Sequence, residues 1–367
     1  MNCENIKNNT MKILIINSQR HWQNGWMTKP SSLQVVVEVL KKSGFDVETV
    51  EVSGVGQLHR ILEKVSADTL IWANAYWVNL RNGKLYGLIE AIERYELPLV
   101  GSDLNTLLEL LQKDTCQTKL KAAGIPIPKN IILTHQDESL LEDIIANSGL
   151  EFPLVLKPTK ESRSLGVTLA HNLAEAIAKA KETLQNFPNG NLIIEEFLAT
   201  DDITCGYLRM GEQEMILPSY NVVEGMDCKT EVFSQYHYTL PPEGERQVCI
   251  DDTSTLNQLE TYLPAIVDLF NIQTTTRIDG RLDRNGAMSF FDINGLPGLN
   301  FPISALVKQC FSHFPKYGRE HLFEYLINTI AGDSLLRYNM PLSSRIWERN
   351  LFNLESETVL TVESVTV

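Results

Sequence analysis

Two segments in the last third of the chain, Thr274–Leu282 and Met288–Ile293, read as strands joined around the turn Arg284-Asn285-Gly286. They are expected to pair as an antiparallel hairpin, and that pairing constrains the fold more than any other local pattern. The first strand contains Arg277-Ile278-Asp279-Gly280-Arg281-Leu282, and the second contains Phe290-Phe291-Asp292-Ile293-Asn294, closed by Gly295-Leu296-Pro297-Gly298. Alternate side chains of a strand share a face. Arg277, Asp279 and Arg281 therefore point together, as do Asp292 and Asn294 on the partner. Two carboxylates and one amide oxygen on adjacent strands are a donor set for a hard divalent cation. Mg²⁺ favours such oxygens and is commonly shared with substrate phosphates. Any one of these residues alone would be read as part of a solvated sheet face. As a set, Asp279, Asp292 and Asn294 are expected to hold metal.

The rest of the chain supplies a frame for this hairpin. Lys12–Ile16, Phe45–Val52, Thr69–Ala73 and Leu99–Val100 read as strands; Leu33–Lys42, Gln57–Lys64 and Leu85–Tyr95 read as helices. That alternation predicts a parallel α/β sheet for a first domain over residues 11–111. A small α+β lobe follows over residues 112–200. Its helices are expected at Thr115–Ala123, Glu138–Asn147 and Leu173–Leu184, and its strands at Ile131–Thr134, Phe152–Lys157 and Leu192–Phe197. A third lobe over 201–340 would contain strands at Asp202–Met210 and Glu214–Leu217, a polar loop over Asn221–Tyr236, a helix at Asp252–Phe270, the hairpin, and a closing helix at His321–Thr329. Residues 1–10 read as a loose extension, and 341–367 as a tail without decisive pattern.

Bulk properties exclude several classes. A net charge of −14 repels phosphodiester backbones, so no nucleic-acid partner is expected. A single nucleotide needs only a local basic pocket. The six cysteines form no C-x-x-C pair and read as reduced thiols. Met1–Thr10 is polar and unlike a signal peptide. No window approaches the ~20 apolar residues of a membrane span. A cytoplasmic protein without a membrane partner is the expectation.

Two further groups carry chemistry. Lys157-Pro158 ends an apolar strand and is followed by Ser162-Arg163-Ser164-Leu165-Gly166-Val167. A lysine there can place its ammonium on a phosphate, and a loop of small residues can wrap phosphate oxygens with backbone N–H groups. Many exposed turns look similar. Glu195-Glu196-Phe197-Leu198, with Asp202 four residues beyond Leu198, puts an acidic edge on an apolar strand. Such an edge suits a purine and its ribose, and equally an ordinary solvated strand end.

In this order and spacing the pieces resemble the ATP-grasp superfamily, and most the D-alanine–D-alanine ligase branch. The most specific part is Arg277-Ile278-Asp279 followed, thirteen residues after Asp279, by the acid of Asp292-Ile293-Asn294-Gly295-Leu296-Pro297-Gly298. The resemblance implies an N-terminal parallel α/β domain and two lobes that grip ATP. It implies that Lys113 and Lys157 contact phosphates, and that Ser164 and Gly166 belong to a flexible loop covering them. Glu195, Glu196 and Leu198 would contact adenine, and Asp202 the ribose. Asp279, Asp292 and Asn294 would bind two Mg²⁺ ions, with Mn²⁺ as an alternative. Arg277 would steady an acyl phosphate and the later oxyanion, with Lys157 and Ser164 beside it in catalysis. The implied reaction is an ATP-dependent ligation of an amino-acid amine to a small-molecule donor through a phosphorylated intermediate. A homodimer is implied as a common assembly of the branch.

The sequence departs from the branch at the donor end. The stretch that anchors the first D-alanine reads Asn17-Ser18-Gln19-Arg20-His21-Trp22-Gln23-Asn24-Gly25-Trp26, and the usual acid is missing. The L-H-G of the branch is replaced by Ala73-Asn74-Ala75-Tyr76-Trp77, and E-G-S-S by Glu161-Ser162-Arg163-Ser164. Asp292 stands where Glu is usual. Arg20, His21, Trp22 and Asn74 are thus candidate donor residues, Lys229 a candidate in the polar loop, and Ser304 a candidate for the amino acid's carboxylate. Such a pocket suits a ring-shaped or polyhydroxylated donor. The alternatives are a mycosporine-type ligase that forms an imine, a D-alanine–D-alanine ligase proper, and an inactive nucleotide-binding regulator. The intact Lys113, Lys157, Arg277, Asp279, Asp292 and Asn294 argue against the last.

Overall fold

A computed structural model describes residues 11–18, 30–234, 237, 244–356 and 358–362. The first layer is a three-stranded parallel sheet in the order β2-β1-β3, from β1 (Lys12–Ser18), β2 (Asp46–Val52) and β3 (Thr69–Ala73). Ile13 to Ile16 are buried in succession, as a strand covered on both faces requires. α1 (Pro30–Lys42) and α2 (Val55–Leu62) share one apolar cluster with this sheet. Leu99 adds only a single parallel bridge, to Ile71.

The helix expected over Leu85–Tyr95 is shorter and begins as a strand. β4 (Trp77–Asn79) and β5 (Leu85–Gly87) form a hairpin, and α3 occupies Leu88–Glu93. The cause is Asn82-Gly83: Gly83 takes φ 78° and its N–H donates to the Leu80 carbonyl at 2.9 Å. α4 (Leu104–Leu111) and α5 (Lys113–Ala122) then lead into the second lobe.

That lobe is an antiparallel sheet in the order β6-β9-β7-β8, from β6 (Asn130–Leu133), β7 (Leu154–Pro158), β8 (Thr168–Ala170) and β9 (Leu192–Glu196). α6 (Leu141–Ala146) and α7 (Leu173–Asn186) cover one face. The helix expected over Glu138–Asn147 divides: a 3₁₀ turn over His135–Leu140, opened by a Thr134–Asp137 capping box, precedes α6.

The third lobe is built on β10 (Asp202–Met210), β11 (Gln213–Val223), β12 (Glu245–Cys249), β13 (Thr275–Leu282) and β14 (Met288–Asn294), in the order β12-β11-β10-β13-β14. β11 extends into the stretch read as a polar loop. α8 (Thr253–Leu269) matches expectation, whereas β12 and α9 (Ala305–His313) carry no sequence signal that was recognised. α10 spans Arg319–Arg337, well beyond the expected His321–Thr329. It is buried because one apolar cluster joins Leu326, Ile327 and Ile330 to Ile13–Ile16 of the first sheet. Ser43 donates to Asn328 at 2.7 Å and Lys42 pairs with Glu324 at 2.9 Å across the same contact.

Among the described residues after Pro341, several are packed. α11 (Ser344–Glu348) buries Ile346, and β15 (Leu360–Val362) pairs antiparallel with Glu214–Ile216 of β11. His313 fastens this strap: Nδ1 accepts from Thr358 at 2.8 Å and Nε2 donates to the Pro218 carbonyl at 3.1 Å. Burial lowers its pKa to about 4, so it stays neutral.

The central hairpin pairs as expected, with one irregularity. Arg277 faces Asn294 and Asp279 faces Asp292, but the register shifts between Asp279 and Gly280, which pairs with Phe290. Gly280 is required there, because a Cβ would lie 2.5 Å from the Ser289 carbonyl oxygen. Gly280→Ala is expected to cost about 1–3 kcal/mol, read by urea denaturation. An unchanged midpoint would mean that the backbone has room to spare.

Candidate active site

A cavity of about 770 Å³ opens between the β6–β9 sheet and the β10–β14 sheet. Lys113, Lys157, Ser164, Glu195, Glu196, Leu198, Asp202, Arg277, Asp279, Asp292, Asn294 and Ser304 all line it. Residues scattered over almost 200 positions of sequence are thereby brought together. Each strand contributes its end or its inward face. Lys113 stands at the start of α5, and its backbone N–H donates to the Thr159 carbonyl at 3.1 Å.

The charges are arranged in pairs. Lys113 meets Asp292 at 2.9 Å, Lys157 meets Glu195 at 2.7 Å, Arg277 meets Asp279 at 2.7 Å and Arg281 meets Asp202 at 2.5 Å. Burial acts to raise the Asp292 pKa, but Lys113, with Lys157 and Arg277 behind it, holds it below the ordinary carboxylate range. Asp279 accepts from Arg277 Nε at 2.9 Å, from Thr204 Oγ1 at 2.7 Å and from Asn294 Nδ2 at 3.2 Å. Two charged acids and an amide therefore converge from facing positions. Among the described residues no group of three or more His, Cys, Asp or Glu forms a closed metal cage. A cation at Asp279, Asp292 and Asn294 would draw its remaining ligands from water and phosphate, which is how Mg²⁺ is commonly held. Turning the Asn294 amide over would present its oxygen. The residues present fit such an ion.

Glu195 and Glu196 point to opposite sides, as strand alternation demands. The buried Glu195 carboxylate takes Lys157 and also accepts from Gln117 at 3.0 Å. Glu196 turns outward, accepting from the Glu151 backbone N–H at 3.0 Å, with Lys129 at 3.5 Å. Lys157 further donates to the Phe291 carbonyl at 3.2 Å.

The loop Ser162–Val167 rests on left-handed backbone at Arg163, Ser164 and Gly166, with φ of 55°, 54° and 76°. Gly166 sits against Phe187, where a Cβ would come within 2.6 Å of the ring. Glu161 lines the wall; burial raises its pKa, with Lys113 acting the other way. Ser304 is the N-cap residue of α9, and its Oγ accepts from the Asn300 N–H at 2.9 Å.

Other sequence candidates lie elsewhere. Asn74 is buried beside Asn17, donating to it at 3.0 Å, and is not part of the wall. Lys229 is exposed on a turn whose N–H donates to Asp227 at 3.0 Å, also away from the wall. Arg20, His21, Trp22 and the second tryptophan, Trp26, lie outside the described residues. Tyr76, within the divergent stretch, carries no chemical signal of its own in the sequence. It lines the cavity with its hydroxyl bonded to the Leu296 backbone, and burial pushes its pKa up. Gln117, the other partner of Glu195, belongs to no motif, although it lies one helical turn after Lys113 and so shares its face.

The family described as D-ala D-ala ligase C-terminus matches residues 120–318. The D-alanine–D-alanine ligase of Pseudomonas entomophila (strain L48) is 24% identical over 269 residues, 72% of this chain and 77% of that protein. The enzyme of the same name from Aquifex aeolicus (strain VF5) is 25% identical over 222 residues, 59% of this chain and 68% of that protein. Among solved structures, D-alanine–D-alanine ligase from Bacillus anthracis superposes with a TM-score of 0.64 at 16% identity, covering 90% of this chain and 99% of that one. VanG D-Ala:D-Ser ligase from Enterococcus faecalis gives a TM-score of 0.64 at 17% identity, covering 89% and 99%. The likeness to these structures establishes a shared fold.

Proposed function

Because the chain belongs to the D-alanine–D-alanine ligase family, and is on that ground an ATP-dependent carbon–nitrogen ligase of ATP-grasp fold, we propose that it phosphorylates an oxygen of a small-molecule donor and couples that donor to the amine of an amino acid. The observation that carries this reading is the meeting of Lys113, Lys157 and Arg277 with Asp279, Asp292 and Asn294 in one cavity.

A carboxylate or enolic oxygen is a poor leaving group until it carries a phosphoryl group. Lys113 and Lys157 bind the phosphates of ATP and orient the terminal one toward the donor. Held by Asp279, Asp292 and Asn294, Mg²⁺ would offset charge on the transferring phosphoryl group. Arg277 donates to the oxyanion that develops when the amine attacks. Ser162–Val167, including Ser164 and Gly166, closes over the phosphates and excludes water, which would otherwise hydrolyse the activated donor. The backbone at Glu196–Leu198 reads adenine, and Asp202 accepts from the ribose. Ser304, at the start of α9, receives the carboxylate of the incoming amino acid.

The donor is not D-alanine. No Asp or Glu occurs between Asn17 and Val37, where an ammonium would need its counter-charge. The wall contributed by the first domain is uncharged, formed by Tyr76, Leu110 and Leu111 among the described residues. Arg20, His21 and Trp22 suit a ring bearing hydroxyl or carboxylate groups. The same missing acid favours a second reading, in which a mycosporine-type ring oxygen is phosphorylated and the product is an imine.

Incubation with ATP, Mg²⁺ and D-alanine alone is expected to release little phosphate. A panel of carboxylates and ring ketones, each paired with amino acids, should contain a combination that releases ADP at least tenfold faster. Fast release with D-alanine alone would make this a D-alanine–D-alanine ligase proper.

A further inference from the structure

Arg281 lies on β13 two residues beyond Asp279, is only 4% exposed, and has no part in the chemistry above. Its Nε donates to Asp202 Oδ1 at 2.5 Å. Its Nη1 donates to the carbonyls of Leu198 and Cys228, both at 2.8 Å, and Nη2 reaches the Glu231 carbonyl at 3.4 Å. The guanidinium carbon lies 5.0 Å from the centre of the Phe197 ring. One planar group thus joins the chain leaving β9, the first residue of β10, and the stretch 228–231 between β11 and β12. Only a guanidinium has enough donors in one rigid plane to do this; an ammonium is a compact point charge.

We propose that Arg281 is a positioning residue for the nucleoside end of the cavity. It fixes one oxygen of Asp202 and so presents the carboxylate to the ribose hydroxyls. It also holds the Leu198 carbonyl at the cavity wall and the 228–231 stretch that leads into Val232 and Phe233, which line it. The inference rests on the ATP reading and adds the group that pre-sets its ribose contact. A carboxylate already held in one orientation loses little rotamer freedom on binding, which is where the affinity comes from. The phosphoryl end, held by Lys113, Lys157 and Asp279, is served by other residues.

The test compares ATP with 2′,3′-dideoxy-ATP, each with Mg²⁺, by calorimetry on the full chain and on Arg281→Lys. The unmodified protein is expected to prefer ATP by about tenfold or more, the worth of a hydrogen bond to a charged group. In Arg281→Lys that preference should fall to about twofold, and the KM for ATP should rise more than kcat falls. An unchanged preference in a folded Arg281→Lys would overturn the proposal, as would an unmodified protein that binds both nucleotides equally. Failure to bind either nucleotide would sink the ATP reading itself. Should Arg281→Lys not fold, hydrogen exchange on the unmodified protein decides. ATP should protect the amides of Val232 and Phe233, which line the cavity, more than dideoxy-ATP does; equal protection overturns the inference.

Discussion

Asp279→Asn is expected to lower ATP turnover by on the order of 10³-fold while the protein remains folded. Asp279 is the point at which the site's polar contacts meet. It takes both arms of Arg277, the Thr204 hydroxyl and the Asn294 amide, and it faces Asp292 across the hairpin. Asparagine has the same shape and keeps part of that hydrogen bonding, so the sheet should hold. What it lacks is the charge that a divalent cation needs and that Arg277 balances. Mn²⁺ affinity in the presence of nucleotide, read by electron paramagnetic resonance, should fall in parallel. Asn294→Ala should act in the same direction. Undiminished turnover in either variant would refute the metal assignment.

Lys157→Met should lower both stability and turnover, for separable reasons. The Lys157–Glu195 pair spans 2.7 Å with each side chain 5% exposed. Removing the lysine strands a buried carboxylate, which typically costs about 3–5 kcal/mol. The double variant Lys157→Met with Glu195→Gln removes both charges and should regain much of the stability. Turnover should stay down by about 10²-fold or more in both, because no other side chain replaces the ammonium on the phosphate. Denaturant unfolding and ADP release measure the two effects. A double variant that recovers turnover along with stability would make Lys157 a purely structural residue.

Much of this site is legible in the sequence because it lies on strands. A period of two places Arg277 with Asp279 and Asp292 with Asn294, but the register of the turn alone would set Asp279 opposite Phe291 and Arg277 opposite Ile293; the shift at Gly280 brings them opposite Asp292 and Asn294. The bulge at Gly280 is not legible, since it depends on the close approach of the Ser289 carbonyl. The partner of Glu195 is equally hidden. An acidic strand end reads as a purine edge, but the lysine 38 residues earlier is brought beside it only when β7 and β9 pair. α9 is hidden because Ser304, at its N-cap position, makes no capping bond to the first turn and accepts from Asn300 instead. β12 escaped because Glu245-Arg246-Gln247 is polar and Val248 is exposed, so its half-buried alternation is faint. The described strap after Pro341 has only short elements, a five-residue helix and a three-residue strand, too short for a period to show. Ile346 and Leu351 are buried singly, by contacts that only tertiary structure supplies.

The cavity between the two antiparallel sheets is expected to hold a triphosphate in the order purine, ribose, phosphates, metal. A crystal structure of the protein with Mg²⁺ and a non-hydrolysable ATP analogue tests it most directly. The purine is expected against Glu196–Leu198, the ribose on Asp202, the phosphates on Lys113 and Lys157, and cations on Asp279, Asp292 and Asn294. A nucleotide bound elsewhere, or a cavity that stays empty at millimolar analogue, would contradict it.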